Sequence, residues 1–96
     1  MTVFRVCIKC DLVVTRVNNK RGAFGFYKNE YVRASDSRSA AKAAELKVRE
    51  ALLRNPSISE QDAQAAVLEI DEIDEGFSEA ELSSDEGFVF FNAEAQ

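Results

Sequence analysis

Hydrophobic and polar residues alternate from the first residues of the chain. Phe4, Val6, Ile8, Cys10, Leu12 and Val14 share one parity, and Arg5, Cys7, Lys9 and Asp11 share the other. A period of two rich in β-branched residues predicts a half-buried strand, with Cys10, Ile8 and Leu12 inward and Cys7, Arg5 and Lys9 outward. The polar run Val17-Asn18-Asn19-Lys20-Arg21-Gly22 then reads as a turn, because Asn and Gly tolerate positive φ. Residues 23–34 return as an aromatic strand carrying Phe24, Phe26, Tyr27, Tyr31 and Val32. Its alternation breaks at Lys28-Asn29-Glu30, which predicts a bulge there. Residues 3–34 are therefore expected to form one long hairpin.

The period then changes. Ser35 or Asp36 is a fitting N-cap, and residues 36–54 are dense in the helix formers Ala, Leu, Lys, Arg and Glu. Ala40, Ala44, Val48, Ala51 and Leu52 form one stripe, mostly of alanine, so this helix can lie close to a sheet. Asn55-Pro56 ends it. Leu46 and Leu53 lie roughly opposite the stripe, beside Lys42 and Arg49, and read as surface leucines. Ser59 and Asp62 resemble a capping box with Asp in place of Glu, which predicts a short helical turn near 60–66. Val67 to Ile73 reads as a third strand with a slip before Ile73; a continuous helix over 60–73 is the alternative. Residues 76–86 are an acidic connection with one turn near 78–82. Gly87-Phe88-Val89-Phe90-Phe91 reads as a fourth strand, apolar on both parities and so central or covered on both faces.

The predicted order is strand, strand, helix, strand, strand, an α+β domain in which one main helix lies against a mainly antiparallel four-stranded sheet. The hairpin spans about 3–34, the helix about 36–54, the acidic strand and connection about 66–86, and the last strand about 87–92. One helix leaves much of the second sheet face open. Tyr27, Tyr31 and Phe91 on that face predict a homodimer through the sheet.

Charge adds a second pattern. All twelve Lys and Arg lie in residues 1–54, against five acidic residues, for a net +7. Residues 55–96 hold twelve acidic residues and no basic one, for −12. At 96 residues the chain is one small domain. No apolar run approaches the roughly 20 residues a membrane helix needs. Arg5 and Lys9 interrupt the first apolar stretch, which predicts no signal peptide and a cytoplasmic setting where two cysteines stay reduced.

Cys7-Ile8-Lys9-Cys10 has the C-x-x-C spacing of zinc knuckles and redox dithiols. On a strand, residues three apart point to opposite faces, with Cα atoms roughly 10 Å apart. Such a pair neither shares a metal nor forms a disulfide. Structural zinc takes four ligands, and this chain has no histidine and no third cysteine. Residues 71–82 invite comparison with an EF-hand loop. Setting Gly76 at position six puts Ile73 and Leu82 where carboxylate ligands belong. Without histidine, a Ser motif or a Gly-rich phosphate loop, no catalytic residue, metal or cofactor is assigned.

Arg21-Gly22-Ala23-Phe24-Gly25-Phe26 resembles the aromatic strand signature of RNA-recognition motifs, with Ala23 inserted. The insertion shifts the aromatic parity, and residues 11–23 leave no room for the helix which that fold places between its first two strands. Gly25-Phe26-Tyr27 through Tyr31-Val32, Ala34, Asp36, Ala40 and Ala44, followed by an acidic strand and a Gly-aromatic strand, resembles small bacterial α+β domains of ferredoxin-like fold. That resemblance covers about residues 24–91 and implies a fold, not an activity.

The sequence therefore predicts a non-enzymatic interaction module, self-associating, that offers an acidic surface to a protein with a basic one. The candidate contacts are Glu69, Asp71, Glu72, Asp74, Glu75, Glu79, Glu81, Asp85 and Glu86, since charged surfaces steer and select partners. The alternative is nucleic-acid binding by the basic aromatic hairpin through Arg16, Lys20, Arg21, Lys28 and Arg33. The acidic half argues against that alternative, because it repels phosphate.

Overall fold

Positive φ at Asn18 and Asn19 (52° and 65°) closes a two-residue turn between β1, Thr2–Val17, and β2, Lys20–Ala34. Two left-handed residues match the twist of a hairpin, and Asn is among the few non-glycine residues that accept the conformation. The computed structural model describes residues 1–93 and continues with α1, Ser37–Arg54, the short α2, Glu60–Ala65, and β3, Leu68–Phe77. A 3₁₀ turn, Glu79–Ser83, then leads to β4, Phe88–Asn92. All strand pairings are antiparallel, and the order across the sheet is β3-β1-β2-β4. The sheet curls into a half-barrel.

This is the expected α+β class, with one main helix on a four-stranded antiparallel sheet. The strand order is not ferredoxin-like. That fold is built from split βαβ units, whereas here β1 and β2 are directly hairpin-paired and the later strands add to the two outer edges.

The helix-facing side of the sheet is the core. Phe4, Val6, Ile8, Cys10, Val13, Phe26, Val32 and Ala34 pack against Ala40, Ala44, Val48 and Leu52 of α1. Val48 and Leu52 are fully buried, each worth about 1.5–3 kcal/mol over an exposed position. Asp36 caps α1, its Oδ1 accepting from the Ser39 amide at 2.8 Å. Ser59 caps α2 by accepting from the Asp62 amide. Arg49 closes the far end of α2, donating to the carbonyls of Ala63 and Ala66. Leu46 and Leu53 are exposed.

Two local expectations change, the place of the bulge and the position of β4, and one alternative falls. The bulge is absent at Lys28-Asn29-Glu30 and lies instead in β1, where Asp11 and Leu12 together oppose Gly25. Beyond it the parity inverts, so Leu12 is 57% exposed and Val13 and Thr15 turn inward. With β2 unbroken, Lys28 and Glu30 stay on the same face as Phe26 and Val32, opposite Ile8 and Val6. The stretch 60–73 follows the first reading, not the continuous-helix alternative: the short α2 is followed by β3, which slips between Ile70 and Glu72 and leaves Asp71 over. Finally, β4 is an edge strand, not a central one. Its Phe88 and Phe90 pack inward edge-on to Phe26, and its Phe91 ring lies flat on Gly25. A Cβ on Gly25 would come within 2.1 Å of that ring, which is why glycine stands there.

Candidate interaction surfaces

The nine acidic candidates fall into two groups. Glu69, Asp71, Glu72, Asp74 and Glu75 lie along β3, at one edge of the sheet. Glu79, Glu81, Asp85 and Glu86 lie in the connection that follows it. Most of the second group turns back onto the protein. Glu79 pairs with Arg33. Asp85 accepts from the Gly87 amide at 3.0 Å and from Lys28 Nζ at 3.1 Å, and both hold its carboxyl below the usual aspartate range. Glu86 accepts from the Tyr31 hydroxyl at 2.5 Å and from Asn29 Nδ2 at 3.1 Å, which lowers its own pKa and raises that of Tyr31. Glu81 is half-buried near Tyr31.

In β3 only Asp74 is committed. It meets Arg5 at 2.7 Å, and the hydrogen bond raises the arginine further above its already high value. Arg5 also lies over the Phe77 ring at 5.1 Å. Glu69, Asp71, Glu72 and Glu75 are exposed and make no side-chain hydrogen bond or ion pair among the described residues. Four free carboxylates within seven residues of an edge strand are thus what remains of the predicted acidic surface.

The five basic candidates are not brought together. Lys28 is on the helix side of the sheet and 5% exposed, its Nζ 3.0 Å from Glu30 and 3.1 Å from Asp85. Burial works against its charge, but the two carboxylates outweigh it and raise its pKa. Arg33 is held by Glu79. Arg16, Lys20 and Arg21 are exposed on the hairpin arm. This arm runs past both neighbours, since β3 pairing stops at Cys10 and β4 pairing stops at Phe24. Most of the rings near the basic residues are used in packing: Phe24 against Phe90, Tyr31 against Phe77, Tyr27 against Phe91. The arm therefore offers cations without an exposed stacking platform of its own.

The two cysteines lie on opposite faces, as strand geometry requires. Cys10 is buried and its thiol donates to the Leu12 carbonyl at 3.4 Å. Cys7 is half-buried on the outer face between Glu72 and Asn29. Burial, then Asp71 and Glu72, push its pKa up, so at neutral pH it is a thiol and a poor nucleophile. Among the described residues no cluster of Cys, Asp and Glu could hold a metal ion.

A concavity with polar walls, about 330 Å³, lies between α1 and the 3₁₀ turn. Lys28, Lys47 and Arg54 line it together with Glu30, Glu50 and Asp85. Equal numbers of each sign select no ligand charge. The Lys28–Glu30 pair at its floor was missed in the sequence, although both residues have the parity of Phe26 and Val32.

No helix is long and apolar enough to cross a membrane among the described residues. No family model matches the chain, and no curated protein or solved structure is significantly similar to it.

Proposed function

We propose that the protein is an interaction module whose acidic β3 edge captures a basic partner, with Glu69, Asp71, Glu72 and Glu75 as the contacts. The observation that carries this reading is that these four carboxylates make no side-chain hydrogen bond or ion pair among the described residues, although Lys9 stands opposite Glu69 in the strand register, whereas Asp74, Glu79, Asp85 and Glu86 are each held by a side chain of the protein. Free like charges lined along one edge repel each other, and a basic surface relieves that repulsion while fixing orientation. Nucleic-acid binding is the second reading, favoured by the arm carrying Arg16, Lys20 and Arg21 past the edges of the sheet. Lys28 is buried beside Glu30, and Arg33 is paired with Glu79, so the arm carries this reading.

The two readings separate in an amide-resolved NMR titration with a lysine-rich decapeptide and with a single-stranded oligonucleotide. Each is run at about 50 mM and about 200 mM salt, a range over which phosphate contacts weaken steeply. Peptide-induced shifts confined to residues 69–75, lost when Glu69, Asp71, Glu72 and Glu75 are changed to lysine, support the acidic module. Oligonucleotide shifts confined to residues 16–21, with no peptide binding, would transfer the function to the arm.

A further inference from the structure

The two edges of the sheet have opposite characters. β3 carries five carboxylates in ten residues and two slips of register, at Asp71 and at Gly76, where φ is +92°. Charge and bulging are the usual devices that keep an edge from accepting another strand. β4 has neither. Phe88-Val89-Phe90-Phe91-Asn92 contains no charge and pairs with β2 without a slip. The carboxylates just before it, Asp85 and Glu86, are drawn away toward Lys28, Asn29 and Tyr31. Over residues 88–91 the outer edge of β4 is therefore a neutral row of main-chain donors and acceptors. Val89 beside it is 63% exposed, next to the Tyr27–Phe91 ring pair on the outer face.

We propose that a second copy of this chain pairs with β4 through its own β4, antiparallel about a two-fold axis. The two sheets merge into one of eight strands with the acidic β3 edges at its outer ends. The occupant is a copy for two reasons. Identical strands that pair antiparallel form a closed, self-complementary contact, and the neutral β4 meets its own image without repulsion, whereas β3 would oppose five carboxylates to five.

Charge across the axis also fits. Antiparallel pairing sets the start of one β4 beside the end of the other. At that end β2 continues past Asn92 into the arm bearing Lys20 and Arg21. The acidic connection 79–86 of one copy is thus brought to the side of the basic arm of the other. Centring the pairing on Phe90 places Val89 opposite Phe91 of the second copy on the outer face. Phe88 then opposes Asn92 on the inner face, so the alternation of both sheets is preserved.

This dimer uses the edge opposite to the proposed partner site and does not depend on it. Its failure leaves the β3 titration untouched, and the converse holds.

The test is sedimentation velocity over a concentration series on the full chain, with Val89→Lys and Ile70→Lys as variants. Both positions are exposed, on β4 and on β3 respectively. The wild type is expected to move from 10.7 kDa toward twice that mass as concentration rises. Val89→Lys should weaken dimerisation about tenfold or more, with an unchanged circular dichroism spectrum, and Ile70→Lys should dimerise like the wild type. Hydrogen exchange on the wild type provides a readout free of any variant: protection should rise with concentration in β4 and not in β3. A chain that stays monomeric, a dimer indifferent to Val89→Lys, or concentration-dependent protection placed outside β4 would each overturn the proposal. So would a monomer whose β4 is protected only by an added apolar peptide, which would assign the edge to a foreign strand.

Discussion

Replacing Lys28 by Met removes an ammonium from the inner face of the sheet and leaves the Glu30 carboxylate beside it without a cation. The two side chains are 5% and 14% exposed and 3.0 Å apart. Breaking a buried pair from one side costs about 3–5 kcal/mol. The groove above this pair admits water, so about 2–3 kcal/mol is the expected loss. Asp85 contributes little to that figure, because its side chain is 81% exposed and resolvates when Lys28 goes. At about 4–8 °C per kcal/mol for a chain of this size, the melting temperature should fall by about 10–20 °C. Glu30→Leu alone should cost less, since Lys28 retains Asp85. The double variant Lys28→Met/Glu30→Leu replaces both charges with apolar volume against Ile8, Val6 and Phe26. It should return to within about 1 kcal/mol of the wild type. Thermal and urea unfolding of the four proteins closes the cycle. Additivity, with the double variant as unstable as the two singles summed, would refute the reasoning. Alkaline pH gives an independent check. The Lys28 pKa is raised in the fold, so its contribution is whole below the ordinary 10.5 and is lost as pH climbs through the higher folded value. The double variant should lack that alkaline loss.

Other expectations are simpler. Gly25→Ala should displace the Phe91 ring and cost about 1–2 kcal/mol in a melting experiment, and the same change in a Phe91→Ala background should cost almost nothing. Thr15 is fully buried and its hydroxyl finds no partner among the described residues; Thr15→Val should stabilise by about 1 kcal/mol in urea unfolding. The Asp85 and Glu86 carboxyls are held below their ordinary values, so the stability they confer is present above about pH 4–5 and disappears as the solution is acidified through their folded values. Asp85→Asn and Glu86→Gln should flatten that acid limb. Toward a maleimide or iodoacetamide, Cys7 should react more slowly than a free thiol at pH 7, and Cys10 only on unfolding, as peptide mass spectrometry of a time course would show.

The elements that were legible in the sequence are those set by local rules. The alternation Phe4–Cys10, the Asn18-Asn19 turn, the Asp36 cap and the alanine stripe of α1 each carry their own signal. The bulge at Asp11 and Leu12 carries none, since neither residue is Gly or Pro, so the inward place expected for Leu12 went to Val13. Lys28 and Glu30 looked like an interruption because one charge on a core face is prohibitive. Two of opposite sign at i and i+2 satisfy each other there. An apolar run such as Phe88–Phe91 reads as central, and only the strand order reveals that Val89 has nothing beyond it. Of the acidic surface, composition supplied the sign and the region. Which carboxylates are free was not legible, because Arg5–Asp74, Lys28–Asp85 and Tyr31–Glu86 join residues 69, 57 and 55 apart.

Those separations also order events in time. β1, β2 and α1 are contiguous and need only close a two-residue turn and one short loop, whereas β3 and β4 must each return to strands laid down far earlier in the chain. Closing the longer loops is slower and entropically dearer. During synthesis the positively charged hairpin and helix are complete before the acidic segment exists. That segment then finishes the sheet and reverses the sign of the molecule. Unfolding should run the other way, with the two outer strands loosening while the hairpin and helix hold. The surfaces proposed for binding should therefore be the last parts of the chain to form and the first to be lost, an order that hydrogen exchange would read as weaker protection in β3 and β4 than in β1 and β2.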